Sequence, residues 1–274
     1  MSCDVPAFLD RFFAFGAEPS VDRYLALFHP EATLFDSGMP EPIPVAAIPE
    51  HFRTILAVIP DLQMVPERWR EDDDTVFVEA RNTATVGNTP MEWRSIYCVD
   101  LDGGHVIRGR RYYDRRGLFA RLDPHLPAFP ATTPLSAPTP PGPIPAITGR
   151  ALVDAIGELW KRGRPSELPL SFREDAAAWF PAQPAPLGRE ALASYAESFL
   201  GRFERFDFTP LRSAGDENLG FLEWEARAQI GTLSFALRGS DRFDLAPGGV
   251  LASRRYFDTL ELANLWAEHL EPTS

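Results

Sequence analysis

The stretch VDLDGGHVIRGRRYYD, residues 99–114, returns 144 positions later as FDLAPGGVLASRRYFD, residues 243–258. The same offset aligns the first half of the chain with the second without a gap. Roughly a fifth of about 120 aligned positions are identical, and agreement in one register over that length indicates a duplicated fold. A chain of 274 residues is long enough to build two such domains.

Each half starts with helical periodicity and continues with strand-like alternation. In the first half, the apolar spacing predicts helices over 7–17, 20–28 and 45–59, and strands over 32–36, 62–70, 75–86, 91–101 and 105–113. Turn-forming residues separate the last three strands, which predicts a meander. Helices followed by antiparallel strands predict an α+β domain whose curved sheet wraps around its N-terminal helices and leaves one end open as a cavity.

The segment between the halves, residues 124–146, is rich in proline, which excludes helix and central strand and favours an extended, semi-rigid linker. We therefore expect an N-terminal domain over 1–123 with a candidate active site. A C-terminal domain over 147–274, with a degenerate site, is expected to follow the linker.

Composition narrows the classes of partner. The net charge of −12 makes nucleic acid and anionic membrane surfaces poor partners. The sequence shows no signal peptide and no apolar run of membrane-spanning length, so we expect a cytoplasmic protein. Two cysteines and five histidines without ligand spacing predict no metal site, and the absence of nucleotide-binding motifs predicts no cofactor.

Three stretches carry a resemblance to a known family: FHPEATLFDSG at 28–38, IPDLQ at 59–63, and the repeated stretch at 99–114. Their order resembles the SnoaL-like branch of the NTF2-like superfamily. The resemblance implies two cone-shaped NTF2-like folds in tandem. Relatives often dimerise through their sheets, so the resemblance also implies that the two domains form a pseudo-dimer within one chain. The protein is then expected to be a monomer or a low-order homo-oligomer. The fold hosts isomerases, dehydratases, cyclases, epoxide hydrolases and binding modules, so it does not name a reaction.

Asp36 is the first candidate catalytic residue. It ends an apolar strand, and its counterpart in the second half is Phe180. In ketosteroid-isomerase-like relatives a catalytic base occupies the corresponding place. The alternative is an aspartate that caps the turn formed with Ser37 and Gly38.

Glu67 is the expected partner of Asp36. Strand alternation places Val65, Glu67 and Trp69 on one face, and if that face lines the cavity, Glu67 approaches Asp36. Its counterpart is Leu211, so the second half lacks both carboxylates. Resemblance to polyether epoxide hydrolases implies that such an aspartate acts together with a glutamate from this strand. The alternative is a glutamate that faces solvent.

The remaining pocket is expected to bind substrate through Phe35, Met64, Val65, Trp69, Trp93, Tyr97 and His51. Arg110, Arg111 and Tyr112 persist in both halves, which indicates a structural role. The catalytic tyrosine and second acid of ketosteroid isomerases fall near Phe12 and Ser95, so those donors are missing from the matching positions.

The leading hypothesis is a cofactor-independent enzyme that uses a carboxylate acid/base pair on an apolar small molecule. Epoxide opening or cyclisation in natural-product biosynthesis, such as a polyketide pathway, is its most concrete form. An isomerase, cyclase or dehydratase related to the SnoaL-like and ketosteroid-isomerase-like enzymes is the first alternative. A non-catalytic protein that binds an apolar ligand is the second.

Overall fold

The computed structural model describes residues 4–129 and 147–270, which form two compact units that divide after Pro124. Each unit contains a six-stranded sheet with helices, so the predicted tandem α+β architecture is confirmed. Most of the predicted linker, 124–146, lies outside the described residues. The linker, the exact domain bounds and the pseudo-dimer therefore stay predictions.

The first unit follows the predicted order of elements. Its helices are α1 (Val5–Ala17), α2 (Val21–Leu25), α3 (Ile48–Val58) and α4 (Arg115–Phe119). Its strands are β1 (Phe28–Asp36), β2 (Ile43–Pro44), β3 (Gln63–Asp72), β4 (Thr75–Val86), β5 (Thr89–Asp102) and β6 (His105–Tyr112). The second predicted helix, 20–28, ends early because Phe28 already begins β1.

Helix α1 forms for reasons that are visible in the sequence. Oδ1 of Asp4 accepts a hydrogen bond from the backbone N of Ala7 at 3.1 Å, which caps the first turn. Pro6 lies in that turn, where a missing N–H costs no hydrogen bond. Apolar residues recur at helical spacing and form one buried stripe: Val5, Phe8, Leu9, Phe12 and Phe15.

The sheet of the first unit has the strand order β2-β1-β6-β5-β4-β3. Strands β3 to β6 pair antiparallel, as the meander predicts. Strand β1, however, runs parallel to β6, so the sheet is mixed and not antiparallel throughout as expected. The last strand of the meander, β6, forms hydrogen bonds with β1 and has the same direction as β1. This pairing places Asp36 beside Arg111 in register.

The two faces of this sheet have different surroundings. We call the face under the helices the inner face; it carries the core residues Val76, Val78, Ala80, Tyr97 and Val99. Side chains of the intervening residues point to the opposite, outer face because successive strand residues alternate. The inner face forms the wall of the cone.

The second unit repeats this plan. Its helices are α5 (Gly149–Lys161), α6 (Leu192–Leu200) and α7 (Thr259–Leu270). Its strands are β7 (Phe172–Trp179), β8 (Leu187–Gly188), β9 (Arg205–Gly215), β10 (Leu219–Ile230), β11 (Leu233–Ala246) and β12 (Gly249–Phe257). Their order is β8-β7-β12-β11-β10-β9, again with one parallel pair, β7 with β12. Helices across the described residues are too short or too polar to cross a membrane.

Aromatic side chains fill the second cone. The positions of Gly16, Asp36, Met64 and Ala80 in the first unit are occupied 144 residues later by Trp160, Phe180, Phe208 and Trp224. The ring centroids of Trp160 and Phe208 lie 6.0 Å apart, and those of Phe208 and Trp224 lie 5.3 Å apart. A pocket beside Trp160 and Phe180 has a volume of about 20 Å³, enough for roughly one water molecule.

Replacing Trp224 with alanine is therefore expected to destabilise the second unit by about 3–5 kcal/mol, the range for deleting a buried aromatic side chain. Urea unfolding, fitted with separate transitions for the two units, measures this loss. Leu211→Ala is the control, since Leu211 is exposed and its truncation opens no cavity. Equal effects of the two substitutions would contradict the view that aromatic packing closes this cone.

Candidate functional site in the first cone

Asp36 lies at the end of β1, where a tight turn stops the strand. The backbone N of Met39 donates to the carbonyl of Asp36 at 2.9 Å, which closes the turn. Gly38 adopts a positive φ of 89°, and a Cβ there would overlap the guanidinium of Arg115 at 2.0 Å. The positive φ favours glycine at 38, and Asp36, at the start of this turn on the inner face, is only 4% exposed.

Arg111 holds the Asp36 carboxylate in a bidentate ion pair. Nε of Arg111 donates to Oδ1 of Asp36 at 2.8 Å, and Nη2 donates to Oδ2. Both side chains are largely buried. Two parallel N–H···O bonds fix the carboxylate in orientation as well as in position.

The charge state of this pair follows from its surroundings. Burial raises the pKa of Asp36, but the charge of Arg111 and the hydrogen bonds from His51 and Arg111 outweigh it, so the pKa lies below its ordinary value. Burial lowers the pKa of Arg111, but Asp36, Tyr97 and Tyr113 raise it well above normal. Asp36 is therefore ionised and Arg111 is charged at neutral pH.

His51 joins the pair from α3. Its Nε2 lies 3.4 Å from Oδ2 of Asp36, and its side chain is 27% exposed. His51 therefore connects the buried ion pair to the space above it. An ionised carboxylate only accepts hydrogen bonds, so Nε2 is the nitrogen that carries hydrogen in neutral His51.

Three tyrosines surround the ion pair. The guanidinium of Arg111 lies 5.0 Å from the ring centroid of Tyr113 and 5.9 Å from that of Tyr97. Burial raises the pKa of Tyr24, although Arg111 lowers it in part. Tyr24, on α2, stays neutral and brings a hydroxyl to the interior that sequence analysis missed.

A cavity of about 270 Å³ opens beside His51 and Arg111. Its lining is otherwise mostly apolar and includes Ile55, Ile59, Leu62, Val86, Trp93 and Leu118. In the second unit the counterpart of Leu118, Leu262, is fully buried in the core. The volume is close to the lower end of the ~300–1,000 Å³ range of small-molecule sites.

Glu67 does not lie near Asp36, which corrects the expected carboxylate pair. Arg81 Nε donates to Oε1 of Glu67 at 3.0 Å, and Arg94 Nη1 donates to Oε2. Arg81 and Arg94 face each other across β4 and β5 on the outer face, opposite Asp36. The physical reason is the register of β3: Val65 pairs with Arg81 on the outer face, and alternation places Glu67 on the same face. The irregularity between Pro66 and Arg68 then brings Trp69 opposite Val78 on the inner face.

Other predicted pocket residues divide into two groups. His51 and Trp93 line the cavity. Met64 and Tyr97 belong to the packed core, and the partly buried Trp69 packs against it; none of the three is among the residues that line the cavity.

Phe35 and Val65 need correction. Phe35 contacts the ring of Tyr112 at 6.0 Å, away from the cavity. Val65 is 44% exposed, since β3 turns its even-numbered neighbour Met64 inward. The predicted inward orientation of Val65 and Glu67 on β3 is therefore wrong, since both lie on the outer face.

Arg111 was assigned a structural role because it persists in both halves, yet its partner differs. In the second unit, Arg255 pairs with Asp241: Nε donates to Oδ1 at 2.8 Å and Nη2 donates to Oδ2 at 2.6 Å. Asp241 is the counterpart of Tyr97, while the counterpart of Asp36 is Phe180. This exchange of an aspartate between two positions is the sequence signal that could have identified the arginine.

Within residues 4–129 and 147–270, no group of three or more histidine, cysteine, aspartate or glutamate side chains is arranged to hold a metal ion.

Comparison with known proteins covers both halves. The SnoaL-like domain family matches residues 9–109 and 153–261. No curated protein matches the chain.

Three similar solved structures each cover less than half of this chain. IdmH, a candidate polyketide cyclase from Streptomyces antibioticus, is 12% identical over 43% of this chain and 98% of its own, with a TM-score of 0.40. A candidate polyketide cyclase from Acidithiobacillus ferrooxidans is 22% identical over 44% and 97%, with a TM-score of 0.39. A protein of ketosteroid-isomerase-like fold from Catenulispora acidiphila, in complex with trimethylamine, is 16% identical over 42% and 92%, with a TM-score of 0.39.

Asp36→Asn is expected to destabilise the first unit at pH 7 by about 3–5 kcal/mol, because it leaves the buried Arg111 without a counter-charge. Adding Tyr97→Asp places a carboxylate where the second unit has Asp241, and should recover part of the loss. Urea unfolding at pH 7 compares the two variants. If the single variant is as stable as the wild type, the ion pair does not support the fold.

Lowering the pH should reduce the stability of the wild-type first unit, because Asp36 becomes protonated. The folded-state pKa of Asp36 is depressed, so its contribution is present above the pKa of an unfolded aspartate, about 3.9, and is lost as pH falls through the folded value. Asp36→Asn lacks this contribution. The stability difference between wild type and variant should therefore shrink below about pH 4, and a constant difference would contradict the assignment.

Proposed function

This chain belongs to the SnoaL-like domain family, and on that premise we propose that its first domain is a cofactor-independent enzyme. It moves a proton on an apolar small molecule that contains a carbonyl group, in an isomerisation or a cyclisation. The observation that carries the proposal is His51, which lines an apolar cavity and is hydrogen-bonded to a buried, ionised Asp36.

His51 is the proposed general base. Asp36 engages Nε2 and leaves the lone pair of Nδ1 for the substrate. The Nδ1 atom removes a proton from the carbon next to the carbonyl, and the electron pair of that C–H bond moves to the carbonyl oxygen to give an enolate. Asp36 keeps the ring oriented and stabilises the imidazolium that forms. If the substrate is a β,γ-unsaturated ketone, the enolate is a dienolate, and return of the proton from His51 to its γ-carbon moves the C=C bond into conjugation and completes an isomerisation.

Arg111 is the proposed stabiliser of the enolate. It lines the cavity, and its contact with Asp36 uses Nε and Nη2 but not Nη1. After proton transfer the enolate lies beside Arg111 and the imidazolium beside Asp36, so each new charge has an opposite neighbour that was in place beforehand. In a cyclisation, the enolate carbon attacks a second carbonyl carbon of the same molecule, the electron pair of that C=O π bond moves to its oxygen, and the alkoxide takes the proton back from His51.

Epoxide opening, the more specific hypothesis from the sequence, receives less support. It calls for two carboxylates beside the substrate, and Glu67 is engaged by two arginines on the outer face. The ligand-binding alternative predicts an exposed Asp36 and a Glu67 far from it; Asp36 is buried, whereas Glu67 does lie on the opposite face. A natural-product substrate such as a polyketide, rich in carbonyl groups, suits the proposed chemistry.

Exchange of the α-hydrogens of 2-tetralone in D₂O, followed by proton NMR, tests the proposal. The ketone is apolar, small enough for the cavity, and acidic at the carbon next to its carbonyl. We expect the wild type to exceed the buffer rate and His51→Gln to lose about 100-fold or more, as general bases typically contribute. Asp36→Asn with Tyr97→Asp should lose about tenfold or more, because Arg111 keeps a carboxylate but His51 does not.

Glu67→Gln is the matched control, since it removes a carboxylate paired with arginines on the outer face of the same domain. Its exchange rate should equal that of the wild type. A loss in Glu67→Gln, an unchanged rate in His51→Gln, or no exchange by the wild type would each contradict the proposed mechanism.

A further inference from the structure

We propose that the cavity of the first domain selects neutral carbonyl compounds and rejects carboxylates of the same shape. The inference concerns the site of the proposed function and names its substrate class. It rests on the distribution of charge around the cavity, and equilibrium binding tests it without any turnover.

Arginine at the end of an apolar pocket usually indicates a site for an anion. Here the charge of Arg111 is already balanced, because the buried Asp36 forms two hydrogen bonds with it. Among the described residues that line the cavity, Arg111 alone carries a fixed charge. The polar end of the cavity therefore offers hydrogen-bond donors without a net positive charge.

A carboxylate gains little in such a site. It must give up its hydration on entering an apolar cavity, and the fixed positive charge among the described lining residues, that of Arg111, is already balanced by Asp36. It would also lie close to Asp36, which carries the same sign of charge and has a lowered pKa, so that it stays ionised. The neutral Tyr24, buried near the pair, adds no positive charge.

A ketone loses less hydration and still accepts a hydrogen bond from Arg111. Its oxygen becomes negative only after proton transfer to His51, when the new imidazolium supplies the missing positive charge. The site thus matches a molecule that is neutral when it binds and anionic during reaction. The apolar lining, including Ile55, Ile59 and Trp93, accommodates a hydrocarbon body about the size of two fused rings.

A matched pair of ligands tests this selection: 2-acetylnaphthalene, which is neutral, and 2-naphthoate, which is anionic at pH 7.5. Isothermal titration calorimetry on the full chain measures both. We expect the wild type to bind the ketone at least about tenfold more tightly than the carboxylate, since only the ion pays the larger desolvation cost. Equal or tighter binding of naphthoate, or no measurable binding of the ketone, would overturn the proposal.

Asp36→Asn sharpens the test because it leaves Arg111 with an unbalanced charge. The preference for the ketone should fall by about tenfold or more and can invert in favour of naphthoate. Adding Tyr97→Asp restores a carboxylate to Arg111 and should restore the preference, which also covers the case in which the single variant folds poorly. An unchanged preference in a folded Asp36→Asn protein would count against the charge argument.

Two further variants separate this inference from the catalytic proposal. His51→Gln removes the proposed base but keeps the Arg111–Asp36 pair, so it should lose proton exchange and retain the ketone preference. Glu225→Gln, which removes a carboxylate paired with Arg238 in the second domain, should change neither. If the wild type prefers the ketone over naphthoate but does not catalyse hydrogen exchange, only the enzyme proposal is contradicted. If it catalyses exchange but binds the two ligands equally, only the proposed selection of neutral ligands is contradicted.

Discussion

The buried guanidinium of Arg111 is the constraint on which the interior of the first cone depends. A charge removed from water requires an opposite charge with matching hydrogen bonds, or it destabilises the fold. Asp36 meets this requirement from β1, on one side of the arginine strand. In the second domain Asp241 meets it from β11, on the other side of the strand that carries Arg255. The arginine is the same in both domains, and its partner carboxylate comes from a different neighbouring strand in each.

The choice between these two strands decides whether the cone contains a site. A carboxylate on β1 lies within reach of His51 on α3, so the ion pair extends to the cavity. A carboxylate on β11 instead accepts a hydrogen bond from Nε1 of Trp224 at 3.2 Å and is enclosed by aromatic rings. Moving one aspartate, together with the exchange of small residues for tryptophan, thus separates an open cavity from a packed core.

The sequence predicted the fold well because its repeat, turns and alternation are local or self-comparing signals. The helices and the meander lie close to their predicted positions, and the asymmetry between Asp36 and Phe180 directed attention to the correct cone. The sequence did not predict the partners of Asp36 correctly, because it indicated Glu67 where the structure has Arg111 and His51. Alternation groups Val65 with Glu67 but does not reveal which face of the sheet they occupy, and the pairing of β3 with β4 places both on the outer face. Arg111 and Tyr24 reach Asp36 through parallel pairing and helix packing, which connect residues far apart in the chain.

By itself, the sequence determined that this protein has two related α+β domains and that only the first keeps an aspartate at the end of its first strand. Those facts follow from residue identity and spacing, which folding leaves unchanged. Only the tertiary structure decided which groups meet that aspartate, because the meeting depends on the direction of β6, the face exposed by β3 and the packing of α3. It replaced a pair of carboxylates with an aspartate held between an arginine and a histidine, at the edge of an apolar cavity.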